Sequence, residues 1–178
     1  GTVTRLTFRV KPSGVTLLSA TQIASGYLIR TDPAALVIGP TGLAYDWQTG
    51  KLYVASTGDN AIFSIPNAAT RKTDDGMGSL VYQDDAHLRG PLGLVLAPNG
   101  DLITTNGDAV NGDPNFPSEM VEFTPSGTFV AQTPVNSTGQ GGAFGLTLVG
   151  SDDYMLLIAV DDIANALNIW SVVLPDSR

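Results

Sequence analysis

The chain has no cysteine and a single histidine, His87, among its 178 residues. Without cysteine, disulfide bonds and thiolate metal sites are excluded, and Cys/His zinc sites are excluded with them. The sequence has no run of about 18 apolar residues, so it predicts no membrane-spanning helix. It also lacks a Gly-x-Ser-x-Gly elbow and a glycine-rich phosphate loop. These absences argue against zinc proteins, membrane-spanning proteins and nucleotide-binding enzymes.

Basic residues are also scarce, because nine Lys and Arg residues oppose 17 Asp and Glu residues. The formal net charge of −8 disfavours nucleic acid as a partner, since such binding uses Lys and Arg to displace counterions. The chain begins at Gly1 without a charged-then-apolar leader, which is compatible with a removed signal or with a fragment. We expect an extracytoplasmic location, either secreted or periplasmic.

A repeated phrase is the most informative feature that is present. It recurs at a spacing of roughly 51 residues, a period typical of solenoids, propellers and arrays. The copies are Gly39-Pro40-Thr41-Gly42-Leu43-Ala44, Gly90-Pro91-Leu92-Gly93-Leu94-Val95 and Gly142-Ala143-Phe144-Gly145-Leu146-Thr147. Glycine suits positions where backbones approach closely, so we expect Gly42, Gly93 and Gly145 at equivalent inner-strand positions near a central channel.

Each repeat contains up to four short apolar segments separated by turn residues, which predicts an all-β propeller of four-stranded antiparallel blades. No segment keeps a helical apolar period, so helices should be few. The predicted units are an incomplete blade in 1–38, full blades in 39–89 and 90–140, and a blade lacking its outer strand in 141–178. The 13 predicted strands are 3–8, 15–23, 42–45, 51–55, 61–65, 80–83, 93–96, 101–105, 120–123, 128–132, 145–149, 155–160 and 167–172.

These strands amount to about three and a quarter blades, whereas a closed propeller has about 4–8. An open array would expose apolar blade faces and unpaired strand edges. We therefore expect a partner that completes the ring. The alternatives are a missing N-terminal half of the propeller and a second copy of the chain.

Residues 39–65 resemble the NHL repeat, with its Pro-x-Gly-Leu-Ala phrase, Asp/Gly turn, Leu-Tyr-Val-Ala strand, Thr-Gly-Asn-type turn and Ile-rich strand. Residues 90–106 and 142–165 are weaker copies. The resemblance implies a six-bladed propeller of the gluconolactonase-like and strictosidine-synthase-like superfamily, of which this chain would be the C-terminal half. Members include metal-dependent hydrolases, lyases and non-catalytic binding modules, so the resemblance implies the fold more than the function.

The stretch from Pro91 to Asp101 is similar to the Pro-Asn-Gly stretches of gluconolactonase-like enzymes. Those enzymes hold one divalent cation with a Glu, two Asn and an Asp from different blades. Their Glu has no evident counterpart in this sequence, and their Asp motif is not clearly matched. Asn99-Gly100 is also typical of a tight hairpin turn, which is the simpler interpretation of that dipeptide.

In a propeller, the loops joining second and third strands and the crossovers between blades meet at one rim. The candidate ligand-binding residues at this rim are Arg30, His87, Arg89, Asn106, Asp108 and Asp161. His87 and Asp161 are the candidate catalytic groups, since a lone histidine can act as a general base near neutral pH. A histidine in a polar loop is also commonly a plain surface residue.

The loop after the eighth predicted strand, 101–105, is rich in oxygen ligands. Asn106, Asp108 and Asp113 are the candidate metal ligands, because hard cations such as Ca²⁺ take carboxylate, amide and carbonyl oxygens. Asn and Asp are equally favoured in such loops because they stabilise turns. The leading functional hypothesis is a propeller scaffold that binds a small ligand or a protein partner on its rim. The rival is a Ca²⁺-dependent hydrolase or lyase of the gluconolactonase-like type.

Overall fold

The computed structural model of the chain describes residues 1–33, 36–151 and 154–173, which form β-strands, turns and loops without a helix. The strands are β1 (Thr2–Lys11), β2 (Gly14–Ser25), β3 (Arg30–Asp32), β4 (Leu36–Ile38), β5 (Pro40–Asp46), β6 (Lys51–Ser56), β7 (Ala61–Ile65), β8 (Ser79–Tyr82), β9 (Pro91–Leu96), β10 (Leu102–Asn106), β11 (Glu119–Phe123), β12 (Phe129–Pro134), β13 (Ala143–Ser151), β14 (Tyr154–Asp161) and β15 (Ala166–Val172). No helix in this part of the chain is long and apolar enough to cross a membrane.

The strands form three antiparallel blades, each a meander in chain order. Blade 1 contains β5–β8, blade 2 contains β9–β12 and blade 3 contains β13–β15. A long two-stranded sheet, the N-terminal hairpin, is made of β1 and β2. The predicted all-β propeller class with four-stranded blades is confirmed.

The prediction of 13 strands is wrong in one place. No strand was expected between the predicted strands 15–23 and 42–45, but this segment contains β3, which pairs with β4. Each of these strands has three residues. Segments this short do not show the alternation of apolar and polar residues from which strands are predicted.

Successive blades pack face to face, and their first strands β5, β9 and β13 lie side by side. Between blades 1 and 2, Tyr53 and Ile62 of one blade share a core with Leu94, Leu102 and Val121 of the next. Between blades 2 and 3 a second core joins residues of both sheets, with Met120, Leu157 and Ala159 at its centre. Each junction is built from alternating residues that strands direct to one face.

Two glycines allow this close approach of the first strands. A Cβ added at Gly42 would lie 2.8 Å from the backbone nitrogen of Leu94 in the next blade. A Cβ added at Gly93 would lie 2.8 Å from both the carbonyl oxygen of Phe144 and the Cβ of Leu146. Gly42 and Gly93 therefore occupy the same position in consecutive blades, where any side chain would push the neighbouring strand away.

The base of the N-terminal hairpin packs against the two middle strands of blade 1. Val3 and Ile23 at its base pack against Val54, Phe63 and Ile65 of β6 and β7. The backbone of β2 also bonds the segment before β8, through Ser25 N–H donating to the Gly76 carbonyl at 2.9 Å. The rest of the hairpin extends beyond the blade, with apolar side chains at Leu6, Phe8, Val10, Val15 and Leu17 exposed.

Candidate functional site

We call the end of the blades where β6, β10 and β14 terminate the rim. Three equivalent residues lie at this end, one in each blade. Ser56, Asn106 and Asp161 are the last residues of these strands, and each pairs with the start of the first strand of its own blade. All three are buried. The repeat therefore places one small polar side chain per blade at this level.

Asn106 is the centre of a hydrogen-bond network at the junction of blades 1 and 2. Its Oδ1 accepts from the backbone N–H of Arg89 at 2.9 Å, and its Nδ2 donates to the His87 carbonyl at 2.8 Å. The same Nδ2 donates to Glu119 Oε1 at 3.1 Å. Asn106 thus ties the crossover from blade 1 to the third strand of blade 2.

Arg89 and Glu119 form a buried ion pair beside this amide. Arg89 is 3% exposed and Glu119 is 2% exposed, and the guanidinium donates directly to Glu119 Oε1. Arg89 also donates to the carbonyls of His87 at 3.1 Å and Ala86 at 2.9 Å. A buried ion pair of this kind is retained only when further hydrogen bonds satisfy its members, and most of them are present here.

Two polar atoms of the pair have no hydrogen-bond partner among the described residues, namely Arg89 Nε and Glu119 Oε2. Burial raises the pKa of Glu119, and the hydrogen bond from Asn106 and the charge of Arg89 offset only part of this effect. The site therefore has one unused donor and one unused acceptor within one ion pair. Buried groups in this state are uncommon and call for a partner.

Glu119 was not among the residues expected at the site, although the sequence contained a signal for it. It lies on the same face of β11 as Val121 and Phe123, which are both fully buried. A carboxylate at a position whose alternate neighbours are apolar is directed into the core and requires a partner. That alternation marks Glu119 as a buried functional or structural acid.

Asp108 is held by the backbone of two loops. Its Oδ2 accepts from the N–H of Ser118 at 3.0 Å and of Gly141 at 2.8 Å. Its Oδ1 is buried and lacks a hydrogen-bond partner in the part of the chain that the structure describes. Burial raises the pKa of Asp108, although the two backbone hydrogen bonds act in the opposite direction. Asp108 therefore joins the long loop of blade 2 to the crossover that leads into blade 3.

His87 lies in the crossover after β8, and its side chain contacts β12 of blade 2. Its ring stacks on Phe129 of β12 with the ring centroids 3.8 Å apart, and its Nδ1 lies 2.5 Å from Asp84 Oδ2. Despite partial burial, hydrogen bonds from His87 and Tyr82 hold the pKa of Asp84 below its usual range. These contacts pack the His87 side chain against β12 and its own loop.

Asp161 and Arg30 are at the same end of the blades but belong to separate contacts. Asp161 accepts from Asn136 Nδ2 at 2.8 Å and from the N–H of Ala164 at 3.0 Å. Arg30 is exposed, lies 3.4 Å from Asp32 and donates to the Ala109 carbonyl at 3.4 Å. The structure thus joins Arg89, Asn106 and the His87 backbone, but gives Asp161 and Arg30 no hydrogen bond to that group.

The expected metal ligands Asn106, Asp108 and Asp113 do not form a cation site by themselves. The Asn106 carbonyl oxygen is used by a backbone N–H, and Asp113 accepts from Asn115 and lies 3.8 Å from Arg89. The positive charge of the Arg89 guanidinium, next to Asp113, disfavours a second cation there. No cluster of three His, Cys, Asp or Glu side chains suited to a metal is found in residues 1–33, 36–151 and 154–173.

A cleft of about 370 Å³ opens beside the ion pair. The ring of Phe116, half exposed, forms one wall, and it also lies 5.4 Å from the Arg89 guanidinium. The full set of lining residues is Pro114, Asn115, Phe116, Pro117, Glu119, Gln132, Pro134 and Ser137. Gln132 donates to Glu119 Oε1 at 3.0 Å. The cleft therefore combines apolar walls with a polar floor, as small-molecule sites do.

A second cavity of about 440 Å³ lies at the opposite end of the blades, among the turns that join first and second strands. Its acidic and amide side chains serve their own turns. Asp46 accepts from the N–H groups of Gln48 and Thr49, and Asn99 bonds Asp101. This confirms turn geometry at Asn99-Gly100, where Gly100 has a φ of 89°. The rim cleft is the better candidate site.

Comparisons with known proteins place the fold. No family model and no curated protein matches the chain. Among solved structures, a luciferin-regenerating enzyme matches with a TM-score of 0.51 and 12% identity over 88% of this chain and 54% of its own. A calcium-binding regucalcin from Agrobacterium tumefaciens matches with a TM-score of 0.50 and 16% identity, over 88% of this chain and 46% of its own.

A gluconolactonase from Xanthomonas campestris is also similar, with a TM-score of 0.49 and 17% identity over 94% of this chain and 44% of its own. The chain thus spans about half the length of the proteins that it matches. At these identities the likeness shows the fold alone. The chain has the β-propeller fold seen in the luciferin-regenerating enzyme and the regucalcin.

Proposed function

We propose that the protein is an NHL-like propeller scaffold that binds a small ligand in the rim cleft beside Glu119. The observation that carries the proposal is the buried Arg89–Glu119 pair, which borders a cleft of about 370 Å³ and has an unused acceptor at Glu119 Oε2. A ligand with a hydroxyl or carboxamide group offers the donor that this acceptor lacks. Its apolar part would lie against Phe116.

The chemistry of the walls narrows the ligand class further. Three prolines and Phe116 line the cleft, and an exposed aromatic ring provides area for stacking. Glu119 is paired with Arg89, so the floor has little net charge and favours a neutral polar ligand over an ion. We therefore propose a small, uncharged ring compound that carries hydroxyl or amide groups. An extracytoplasmic location remains part of the proposal.

Ligand-observed NMR with a library of hydroxylated and carboxamide-bearing ring fragments tests this function. We expect saturation transfer to a subset of fragments with the unmodified chain, and a loss of about tenfold or more in affinity with Phe116→Ala, because its stacking surface is removed. Tyr154→Ala is the matched control, since Tyr154 is a similarly exposed aromatic in blade 3, at 58% against 52%. Equal binding of the fragments to Phe116→Ala and Tyr154→Ala would show that the cleft is not their binding site.

The second candidate is a Ca²⁺-dependent hydrolase or lyase of the gluconolactonase-like type. It is favoured by two buried carboxylate oxygens without hydrogen-bond partners, Asp108 Oδ1 and Glu119 Oε2, and by the fold shared with a protein described as calcium-binding. The described residues supply no complete ligand set, so further ligands would have to come from elsewhere. Calorimetric titration of the same chain with Ca²⁺ distinguishes the two candidate functions. The scaffold proposal predicts no saturable heat of Ca²⁺ binding, whereas the Ca²⁺-dependent enzyme requires it.

A further inference from the structure

The two junctions between blades follow one rule. In each, a glycine in the first strand of one blade lies against a leucine in the first strand of the next, as Gly42 does with Leu94 and Gly93 with Leu146. The glycine lacks a side chain, so the leucine and its strand approach the backbone directly. The rule defines two complementary surfaces, a glycine face and a leucine face, on every blade.

The leucine face of blade 1 has no blade against it in the described structure. Leu43 is equivalent to Leu94 and Leu146. Each leucine lies three residues after the first paired residue of its own first strand, and these paired residues are Pro40, Pro91 and Ala143. Leu94 is 4% exposed, whereas Leu43 is 50% exposed. Leu43 is thus exposed, although the leucines at the two equivalent positions each pack against a glycine of the preceding blade.

A groove runs beside Leu43, between the N-terminal hairpin and blade 1. Its volume is about 260 Å³, and it is lined by Val3, Thr4, Arg5, Ile23, Leu43, Tyr45, Leu52, Ala68 and Ala69. Strand β1 borders the groove and pairs only with β2 among the described strands, so one of its edges is free. The groove therefore has an apolar floor and a side wall of unpaired backbone groups.

We propose that this groove binds an antiparallel pair of β-strands of the same repeat type, supplied by another polypeptide segment. One strand of the pair would bond to the free edge of β1, as in β-strand addition. The other would lie over β5 and place a glycine against Leu43, as Gly42 and Gly93 do in the internal junctions. The hairpin would then become the outer half of a four-stranded blade.

The direction of the strands argues against a second copy of this chain as the occupant. Strand β1 runs away from the rim, because Gly1 bonds Tyr27 and lies close to Pro40 at the rim end of β5. Strand β15, the third strand of blade 3, also runs away from the rim, starting opposite Asp161. Docking blade 3 of another copy would put β15 in the place that β1 occupies. Two strands fit this space, whereas three do not.

A synthetic peptide of residues 90–106, which contains β9 and β10, serves as the probe. We expect saturable binding of the fluorescently labelled peptide to the full 178-residue chain, measured by fluorescence anisotropy. The Leu43→Asp chain should bind it at least about tenfold more weakly, because the variant places a charge on an apolar floor. The matched control is Val149→Asp, since Val149 is also 50% exposed in a first strand but lies in blade 3.

A peptide carrying Gly93→Val gives a second readout, independent of the folding of the variant chains. Its affinity should fall by about tenfold or more, because the added side chain would hold the strand away from Leu43. Absence of saturable binding, or equal weakening by Leu43→Asp and Val149→Asp, would overturn the proposal. Sedimentation velocity of the chain alone tests whether a second copy fills the groove instead. A dimer that is lost in Leu43→Asp would show this and would overturn the proposal.

Discussion

Leu94 and Leu43 occupy the same place in consecutive repeats but have opposite environments. Leu94 lies in the core between blades 1 and 2, while Leu43 faces the groove beside the N-terminal hairpin. The local sequence is nearly the same, Pro-Leu-Gly-Leu against Pro-Thr-Gly-Leu. Burial of a repeat residue in a propeller is therefore decided by its neighbouring blade and only secondarily by its own strand.

The largest effect of this difference should be seen on truncating each leucine. We expect Leu94→Ala to lower the free energy of unfolding by about 2–5 kcal/mol, since it opens a cavity in a packed junction. Leu43→Ala should lower it by less than about 1 kcal/mol, since the side chain is half exposed. Urea denaturation of both variants measures the gap. Equal losses would show that Leu43 is buried in solution, for example by a partner.

The repeat also explains how much of the fold could be predicted from the sequence. The phrase around Gly42, Gly93 and Gly145 has fixed spacing, and it correctly indicated an all-β propeller with four-stranded antiparallel blades. The β3–β4 pair had no such signal, because three-residue strands carry no periodicity. Periodic features are thus predictable from one chain, while short irregular pairings depend on tertiary contacts.

The candidate site was predictable only in part, for a related reason. Asn106 and Arg89 were expected at the rim because loop positions follow from the blade pattern, and the structure joins them through a hydrogen bond. His87, also expected at the rim, has its ring stacked on Phe129, and its role as a catalytic or binding group stays a prediction. Glu119 was missed because the third strand of blade 2 was predicted to begin at Met120, whereas β11 begins at Glu119. Side-chain direction at a blade end is set by contacts between blades, which the sequence does not display.

A smaller effect is expected from adding a single methyl group to the equivalent glycines. Gly93→Ala should destabilise the chain by about 1–3 kcal/mol, because the new Cβ would lie 2.8 Å from the Phe144 carbonyl oxygen. In Gly145→Ala the Cβ would lie 3.2 Å from Val160 Cγ2, a side-chain atom of its own blade. We expect a change within about 0.5 kcal/mol there. Thermal melts of both variants test the comparison, and a costly Gly145→Ala would indicate a blade packed on that face.

The smallest effect concerns two carboxylates, Glu119 at the junction of blades 1 and 2 and Asp161 at the rim of blade 3. Their contributions to the free energy of unfolding should change with pH in opposite directions. Burial raises the pKa of Glu119 above its ordinary 4.5, so the folded protein holds that proton more tightly than the unfolded chain does. The stabilisation from this proton is complete below 4.5 and is lost as pH rises through the raised pKa. For Asp161, hydrogen bonds from the Ala164 N–H and from Asn136 hold the pKa below 3.8. Its stabilisation is complete above 3.8 and is lost as pH falls through the lowered pKa.

Glu119→Gln and Asp161→Asn each remove one of these titrations, so their stabilities relative to the unmodified chain should diverge with pH. The advantage of the unmodified chain over Glu119→Gln should grow as pH is lowered from about 7 towards 4.5, where the Glu119 proton is bound in the folded state. Its advantage over Asp161→Asn should stay constant in that range and shrink only below 3.8. Urea denaturation at a series of pH values measures both differences. If both differences change in the same direction with pH, Glu119 is not in the buried environment that its ion pair with Arg89 indicates.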